Sequence, residues 1–580
     1  MTAVTLPRRF GGLLLLLAGL CVAPHEHVAA QAPPPPIQLP TPAEPVRPEE
    51  RALPPTSPLP AELPPPVVVR PLGGAEAPPG AEAVTITLNG IVVEGATVYP
   101  PDDLDAVYAE QLGKDLPLTE LFAIARRIES RYRGDGYVLT RVVVPEQTVT
   151  DGRFRLTVIE GFINEITVQG DAGDLKPRIE SMLAKITRRR PANIAEIDRY
   201  LLLVNDLPGV SARGTLRPGN EPGSSQLVVD VSIRLWDAFG TVNNRGSKFA
   251  GPWSATFAGG INSQSDMGER NEFVLYHTLD MNEQAFLQYS FSRAVGDEGT
   301  RVRLAAGYSP GRPHGGLQSL KIESTSWSLN AHVTHPVLRS RRANLAVDFG
   351  FDIDESSTDA LNQRLITDKL RVLRAVGTFD YRDTFRGVSA ISFGAHHGID
   401  AFGTSTADRS VPRSREQGVA DFWKLTAEVS RLQGIYANED VAFNLYASVA
   451  GQYSFHPLLA AEEFRLGGER FGRGYAPAEL SGDHGVGTSV ELQMNSGTNL
   501  GIFSRYQLYV FFDFGVVWQL DEGTPPSRPS LASRGIGIRT QVTDWFSLDG
   551  EIAKPKSRVP SAHRDGELAR QAYVRATVRF

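Results

Sequence analysis

The chain has 580 residues, of which 41% are hydrophobic, and a net charge of −7. That length is too great for one ordinary soluble domain, so two or more are expected. The acidic balance lacks the basic excess or patch of a nucleic-acid binder, so no nucleic acid is expected among the partners.

The N-terminus reads as a secretory signal over residues 1–30. Arg8 and Arg9 form its positive region, Leu13 to Val22 its short apolar core, and Val28-Ala29-Ala30 a small-residue cleavage site before Gln31. About ten apolar residues are too few to span a bilayer as a helix. The only cysteine, Cys21, lies inside this signal, and Leu20 stands where a lipid anchor on Cys21 would want a small residue. Cleavage would remove the sole thiol, and with it disulfides, thiolate metal sites and a cysteine nucleophile. No metal or cofactor is expected. Residues 31–83 are proline-rich, with Pro33-Pro34-Pro35-Pro36 and Pro64-Pro65-Pro66. Such spacing forbids a stable helix and predicts an extended, semi-rigid linker, read as a tether or, less simply, a docking site for a partner.

Two small α+β units follow, over 84–162 and 163–235. In the first, Val84 to Val92 is expected as a strand. Leu104, Val107, Tyr108 and Leu112 mark one helical face, and Leu118, Leu121, Phe122, Ala125, Ile128 and Tyr132 a second. Gly134-Asp135-Gly136 closes that helix, and strands are expected at Val138 to Val144 and Phe154 to Glu160. The order β-α-α-β-β then recurs. A strand at Ile163 to Val168 precedes helices near Leu175 to Ile186 and Ile194 to Val204, a break at Leu207-Pro208-Gly209, and strands at Ser211 to Leu216 and Leu227 to Ile233. Equivalent breaks, Gly136 and Gly209, lie about 73 residues apart, which argues for tandem modules.

From Trp236 to Phe580 the pattern is strands only. No stretch after the signal holds 18 consecutive apolar residues, so no transmembrane helix is expected, but a closed β-barrel can still span a membrane. Arg505 to Gln519 is the clearest strand. Leu508, Val510, Phe512, Phe514, Val516 and Trp518 form an apolar face, and Arg505, Gln507, Tyr509, Phe511, Asp513, Gly515, Val517 and Gln519 a mixed one. Trp327 to Val333, Val302 to Tyr308 and Phe443 to Tyr453 alternate in the same way. The arginines and aspartates of the second set suit a wet lumen better than a sandwich core. About 345 residues at roughly 20 to 22 per strand and connection give about 16 antiparallel strands. Counted back from Phe580, connections alternate: Lys554 to Leu568 long, Thr543-Asp544 short, Asp521 to Ser530 long, Ser496 to Asn499 short, and 456–486 very long. Short turns belong on the periplasmic side. Phe580 and both modules are therefore expected there, which requires an even strand number.

The longest loop, 456–486, is expected to enter the lumen. It carries Leu466-Gly467-Gly468-Glu469-Arg470-Phe471-Gly472-Arg473-Gly474-Tyr475. A carboxylate at mid-depth is costly on the lipid face, so Asp513 should point inward to a partner, and Arg473 can grip it with two parallel hydrogen bonds. Gly474 and Gly515 would give the loop backbone room against the wall. Pinning a plug and gating a pore are equally compatible with such a pair.

Taken together, the signal, the tandem modules and the barrel resemble the two-partner secretion (TpsB-type) outer-membrane transporters of the Omp85 superfamily. The modules resemble POTRA domains. Val142 to Gly161 is similar to the end of the family's first POTRA domain, through Pro145, Gln147, Asp151, Gly152, Glu160 and Gly161. Gly472-Arg473-Gly474-Tyr475 resembles the family's VRGY loop motif, with Gly472 in place of valine. Phe511, Asp513 and Gly515 resemble the barrel motif that receives the arginine. Phe580, with Val578, Ala576 and Val574 on its face, resembles the signal read by the outer-membrane assembly machinery. The prolines before Ala83 leave little room for the barrel-plugging helix of some members.

The resemblance implies an outer-membrane transporter of an unfolded exoprotein, an adhesin or haemolysin type, with periplasmic POTRA modules. Its partners would be that client, outer-membrane lipid and the assembly machinery. An assembly or insertion factor of the same superfamily is the alternative, and a passive porin a weaker one. No GxxxxGK[ST] or HExxH sequence supports a nucleotide site or an enzyme, and His484 beside Asp483 is expected to be a surface loop residue.

Overall fold

The computed structural model describes residues 75–246, 251–280, 283–313, 319–405, 412–496, 504–520, 527–558 and 568–580. The expected signal and most of the proline-rich segment lie outside them. The last part of that segment is folded: Ala81 is buried, and Arg126 donates to the Ala75 carbonyl at 3.1 Å.

The first module runs β1 (Thr85–Leu88), β2 (Gly90–Glu94), α1 (Pro101–Asp105), β3 (Lys114–Pro117), α2 (Leu118–Gly134), β4 (Arg141–Val143) and β5 (Arg153–Ile159). The single strand expected over Val84 to Val92 is in fact two. Asn89 breaks it, donating its backbone N–H to Gly152 at 2.8 Å and its side-chain amide to Asp151 at 3.0 Å. β1 then pairs with β3, while β2 joins the sheet β2-β5-β4 parallel to β5. The first expected helix is cut short for the same reason. Gly113 turns the chain at φ 74°, and the residues after it are spent pairing with β1. Leu104 and Tyr108 still reach the core, but Leu112 is exposed. α2 buries Leu121, Ile124, Ala125, Ile128 and Tyr132, one face of its turns.

The second module repeats the topology with β6 (Phe162–Gly170), α3 (Lys176–Leu183), α4 (Ile194–Asn205), β7 (Val210–Pro218) and β8 (Ser224–Ile233), in sheet order β6-β8-β7. Asn193 caps α4, its side chain accepting from Ala195 N–H at 2.9 Å. Ile197, Tyr200, Leu201 and Val204 recur at helical spacing and close over Leu227, Val229 and Val231. Each such aliphatic burial contributes about 1.5–3 kcal/mol before chain entropy is counted.

Sixteen strands then close a barrel: β9 (Trp236–Asn243), β10 (Ser254–Asn262), β11 (Glu269–Thr278), β12 (Ala285–Val295), β13 (Thr300–Gly311), β14 (Glu323–Arg339), β15 (Ala343–Ala360), β16 (Gln363–Arg382), β17 (Gly387–Gly398), β18 (Trp423–Ala437), β19 (Val441–Ser454) and, after the hairpin β20 (Phe464–Leu466) and β21 (Leu480–Gly482), β22 (His484–Ser496), β23 (Arg505–Trp518), β24 (Ser530–Gln541), β25 (Phe546–Pro555) and β26 (Gln571–Arg579). All barrel pairings are antiparallel, and β26 returns to β9. On β23, Leu508, Val510, Phe512 and Phe514 are exposed on the outer face, and Tyr509, Phe511, Asp513 and Val517 are buried inside. Trp327, Leu329 and Val333 on β14 follow the same phase against buried Ser328.

The even strand number puts Trp236 and Phe580 on one rim. Turns there are short, as at 296–299, 340–342, 383–386, 438–440 and 542–545, and connections on the far rim are mostly long. Two details differ from expectation. β15 and β16 meet on the far rim through Leu361 and Asn362 alone, both left-handed at φ 51° and 61°, a tight hairpin turn at the end of the longest strands. The connection expected around Ser496 to Asn499 instead occupies 497–504, most of it outside the described residues.

The second module docks on the terminal rim. Arg178 donates to the carbonyls of Asp266 at 2.8 Å and Gly296 at 3.2 Å, and Tyr200 to Glu298 at 3.0 Å. Arg339 grips Asp206 with two hydrogen bonds of 2.7 Å.

Candidate functional site in the barrel lumen

The long loop begins after Ser454 and ends where β22 starts at His484, so residues 484–486 of the expected loop belong to the wall, paired with Trp518, Val517 and Val516. Within it, β20 and β21 form a short hairpin whose tip is shaped by glycines. Gly467 (φ 104°), Gly468 (φ 80°) and Gly472 (φ 111°) take conformations that side chains disfavour. Gly472, where the resembling motif has valine, therefore fits a turn that a β-branched residue would strain. The turn is tied by Gly467 N–H to Phe471 at 2.7 Å and Tyr475 N–H to Gly472 at 2.9 Å.

That turn delivers Arg473 to Asp513, with 3% and 0% of their side-chain surface exposed. Nη2 donates to Oδ1 at 2.7 Å and Nε to Oδ2 at 3.1 Å, the parallel fork expected of guanidinium and carboxylate. The loop backbone joins in, with Arg473 N–H at 3.0 Å and Gly472 N–H at 3.3 Å to Oδ2. Ser489 and Ser533, the register partners of Asp513 on either side, donate to it at 2.9 and 3.1 Å. The guanidinium also lies 3.5 Å from the ring centroid of Phe511, a cation–π contact in a site shut off from bulk water. Every lone pair of the carboxylate is thus answered, which makes a buried charge tolerable.

Gly515 and Gly474 serve by what they lack. A Cβ on Gly515 would meet the side chain of Leu466, and one on Gly474 would meet the backbone of Lys554 and Pro555. Tyr475 is buried; its hydroxyl donates to the Ala532 carbonyl at 3.2 Å and accepts from Arg558 N–H at 3.3 Å, fixing the tip against β24 and the chain after β25.

Several lumen partners escaped the sequence reading. Arg473 also pairs with Glu491, which in turn takes Arg539 at 3.2 Å, and lies 3.7 Å from Glu551. Glu491 and Glu551 occupy inward positions of their strands, so the alternation itself was the available signal. Nearer the far rim, Glu462 of the loop meets Arg374 of β16 at 2.9 Å and Lys424 of β18 at 2.7 Å. Nothing local in the sequence marks it. His484 is not the surface residue expected: it is buried as the first residue of β22, stacked on Trp518 with ring centroids 5.3 Å apart. Asp483 is buried too, accepting from Arg415 at 2.6 Å, Leu458 N–H at 2.6 Å and Leu520 N–H at 2.8 Å. This carboxylate ties three far-rim loops together. A cavity of about 810 Å³ remains beside the tip, lined by Arg473, Glu491, Tyr509, Arg539 and Glu551 among others.

The first module's singled-out residues build its sheet. Gln147, after Pro145, mimics a strand residue: its carbonyl accepts Arg155 N–H at 2.6 Å and its amide returns to Arg155 O at 3.0 Å. Asp151 (φ 55°) and Gly152 (φ 67°) make the tight turn into β5. Glu160 accepts from Thr97 N–H at 2.7 Å, Val98 N–H at 3.0 Å and the Tyr132 hydroxyl at 2.8 Å. Burial pushes its carboxyl up, but a hydrogen bond from the Thr97 hydroxyl, together with these, outweighs burial and holds it below the ordinary glutamate range. Gly161 lies against Leu139 too closely for a side chain, and its carbonyl accepts Ala192 N–H of the second module at 2.9 Å. At the other end, Phe580 exchanges backbone hydrogen bonds with Ala238 of β9 at 2.8 and 3.4 Å.

An antiparallel barrel with a charged lumen, a loop arginine seated on its wall and paired β-α-α-β-β modules on the terminal rim defines an outer-membrane transporter with POTRA modules, which lie in the periplasm. The chain belongs to the haemolysin secretion/activation protein ShlB/FhaC/HecB family, whose model matches residues 223–540, more than half of it. A ShlB-type POTRA domain matches residues 86–161. The chain is 23% identical over 468 residues to the heme/hemopexin transporter protein HuxB of Haemophilus influenzae, covering 78% of this chain and 80% of that one. Its fold is similar to that of CdiB from Escherichia coli, with a TM-score of 0.69, 20% identity and coverage of 89% and 94% of the two chains. CdiB from Acinetobacter baumannii gives a TM-score of 0.61 at 17% identity, covering 90% and 95%. The protein is a two-partner secretion transporter of the outer membrane.

Proposed function

We propose that Arg473 and Asp513 are the latch of the secretion pore. Residues 84–162 and 163–235 act as the two POTRA modules that receive an unfolded client of adhesin or haemolysin type, and 236–580 as the barrel through which it leaves. The observation that carries this reading is the loop itself, seated in the lumen by a fully compensated arginine–carboxylate pair. A client passing through that lumen has to displace it. Open sheet edges on the modules suit an extended client, which can add a strand to them by main-chain hydrogen bonds. Folding of the client outside the cell biases the movement, and no catalytic step is assigned to the chain. Outer-membrane lipid surrounds the apolar wall, and the assembly machinery reads the end at Phe580.

The test is secretion of the client by cells carrying Arg473→Ala, with barrel insertion verified separately. Client in the medium should fall at least several-fold while the barrel stays inserted; undiminished secretion would remove the latch. Removal of 84–160 should abolish client capture in a pull-down, and retained capture would move recognition elsewhere. In a planar bilayer the purified protein should fluctuate between conductance levels, whereas a large steady pore would favour a passive porin.

A further inference from the structure

The barrel closes where β26 meets β9, and among the described residues this seam is its shortest pairing. Its register runs from Arg575 against Asn243 to Arg579 against Phe239, followed by the two backbone bonds between Phe580 and Ala238. Beyond Asn243 the ladder is continued by Asn244, whose backbone N–H donates to the Val574 carbonyl at 3.3 Å and whose side chain extends the pairing. Asn244 accepts Val574 N–H at 2.8 Å and donates its amide to the Ala572 carbonyl at 3.0 Å.

Two arginines flank the end of the paired stretch. Arg575 stands on β26, and Arg245 lies just past β9, over the Tyr573 ring at 4.6 Å and 3.2 Å from Glu551 of β25. The plug loop supplies the counter-charge. Glu469, at the hairpin tip, accepts a hydrogen bond from Arg575 and lines the same cavity as Arg245. Besides the Tyr475 contacts and an ion pair of Arg470 with Glu428 of β18, the tip is therefore tied by charge through Arg473 to β23 and through Glu469 to β26. Glu551, close to both Arg473 and Arg245, sits between the two attachments.

We infer that Glu469 is a positioning residue that holds the β26–β9 seam shut while the loop is seated, so that withdrawing the loop and loosening the seam are one event. Without Glu469, or without Arg575, the tip loses its charge-paired tie to β26, at the place where the barrel has the fewest paired residues to resist opening. The inference rests on the reading that the loop leaves its seat, but its test needs no client.

Thr241 and Thr577 are register partners across the seam, with hydroxyl oxygens 3.3 Å apart, and Cys21 is the chain's only natural cysteine. Cysteines at both positions can bridge when the seam is closed. In the full chain carrying T241C and T577C, the measurements are the rate of oxidant-driven bridging in liposomes and conductance fluctuations in planar bilayers. E469Q should slow bridging several-fold and raise the fluctuation frequency. R575Q should do the same, and the two together should add nothing to either alone. Once formed, the bridge should return the E469Q channel to the unsubstituted frequency. Bridging at the unsubstituted rate, or fluctuations that persist across the bridge, would mean that Glu469 only tethers the loop. If E469Q fails to assemble, R575Q decides by the same readouts. Normal secretion by Arg473→Ala with slowed bridging in E469Q would end the latch reading and leave the seam role standing.

Discussion

Two of the molecule's arginine–carboxylate forks differ in surroundings more than in shape. Arg339 takes Asp206 at the rim with bonds of 2.7 Å, and Arg473 takes Asp513 in the lumen at 2.7 and 3.1 Å. Asp206 is 37% exposed and Arg339 16%, whereas the lumen pair is sealed. Water and salt screen the first, so it contributes at most about 1 kcal/mol. In the second, removing either partner strands a buried charge, at a cost of roughly 3–5 kcal/mol. The rim fork is one of several polar contacts under the second module. The lumen fork is the centre on which the whole tip is organised.

The comparison is sharpest at Asp513. Replacing it with alanine should unseat the loop, costing roughly 3–5 kcal/mol at the tip, because Arg473 keeps only Glu491 and more distant acids. Tip protection in hydrogen exchange should collapse while the barrel strands stay protected; an unchanged tip would show that Tyr475 and the glycine turn suffice. Gly474→Ala should come next, at about 1–3 kcal/mol, since its methyl group would meet backbone that cannot step aside. Conductance fluctuations should rise in that variant with both charges intact.

The third prediction leaves the barrel. Glu160→Ala strands two backbone N–H groups and the Tyr132 hydroxyl, at about 1–3 kcal/mol, and should expose the first module of the full chain to limited proteolysis. The sign of its pH dependence follows from its lowered carboxyl. The stabilising contribution is complete above the ordinary glutamate range and is lost as pH falls through the depressed folded value. Proteolysis of the unsubstituted module should rise on acidification, and the alanine variant should lose that response. The smallest effect belongs to Arg339→Ala, at no more than about 1 kcal/mol and weaker in high salt. The second module should stay docked by cross-linking; its release would mean the rim contacts act as one unit.

What could be read from sequence follows the same division. Alternation along Arg505 to Gln519 settles which face Asp513 occupies, because a strand offers a side chain only two directions. The strand number follows from length, and the seat for Arg473 from the cost of a charge in lipid. Glu462 could not be found this way, since the loop holding it has no period. Asn89 was missed because its role lies in a backbone bond to Gly152, 63 residues away in sequence. His484 was misjudged as surface for a related reason: the wall begins three residues earlier than expected, and Trp518 covers the ring.

Asp483 and Glu462 have a consequence for how the pore is reused. Both ends of the long loop are nailed to the far rim, one through Arg415 and the other through Arg374 and Lys424. Only the arm between them is free to swing. On the latch reading, a polypeptide threading past pushes that arm aside without dragging it out, and the arm falls back onto its catch once the tail has gone by, ready for the next passenger.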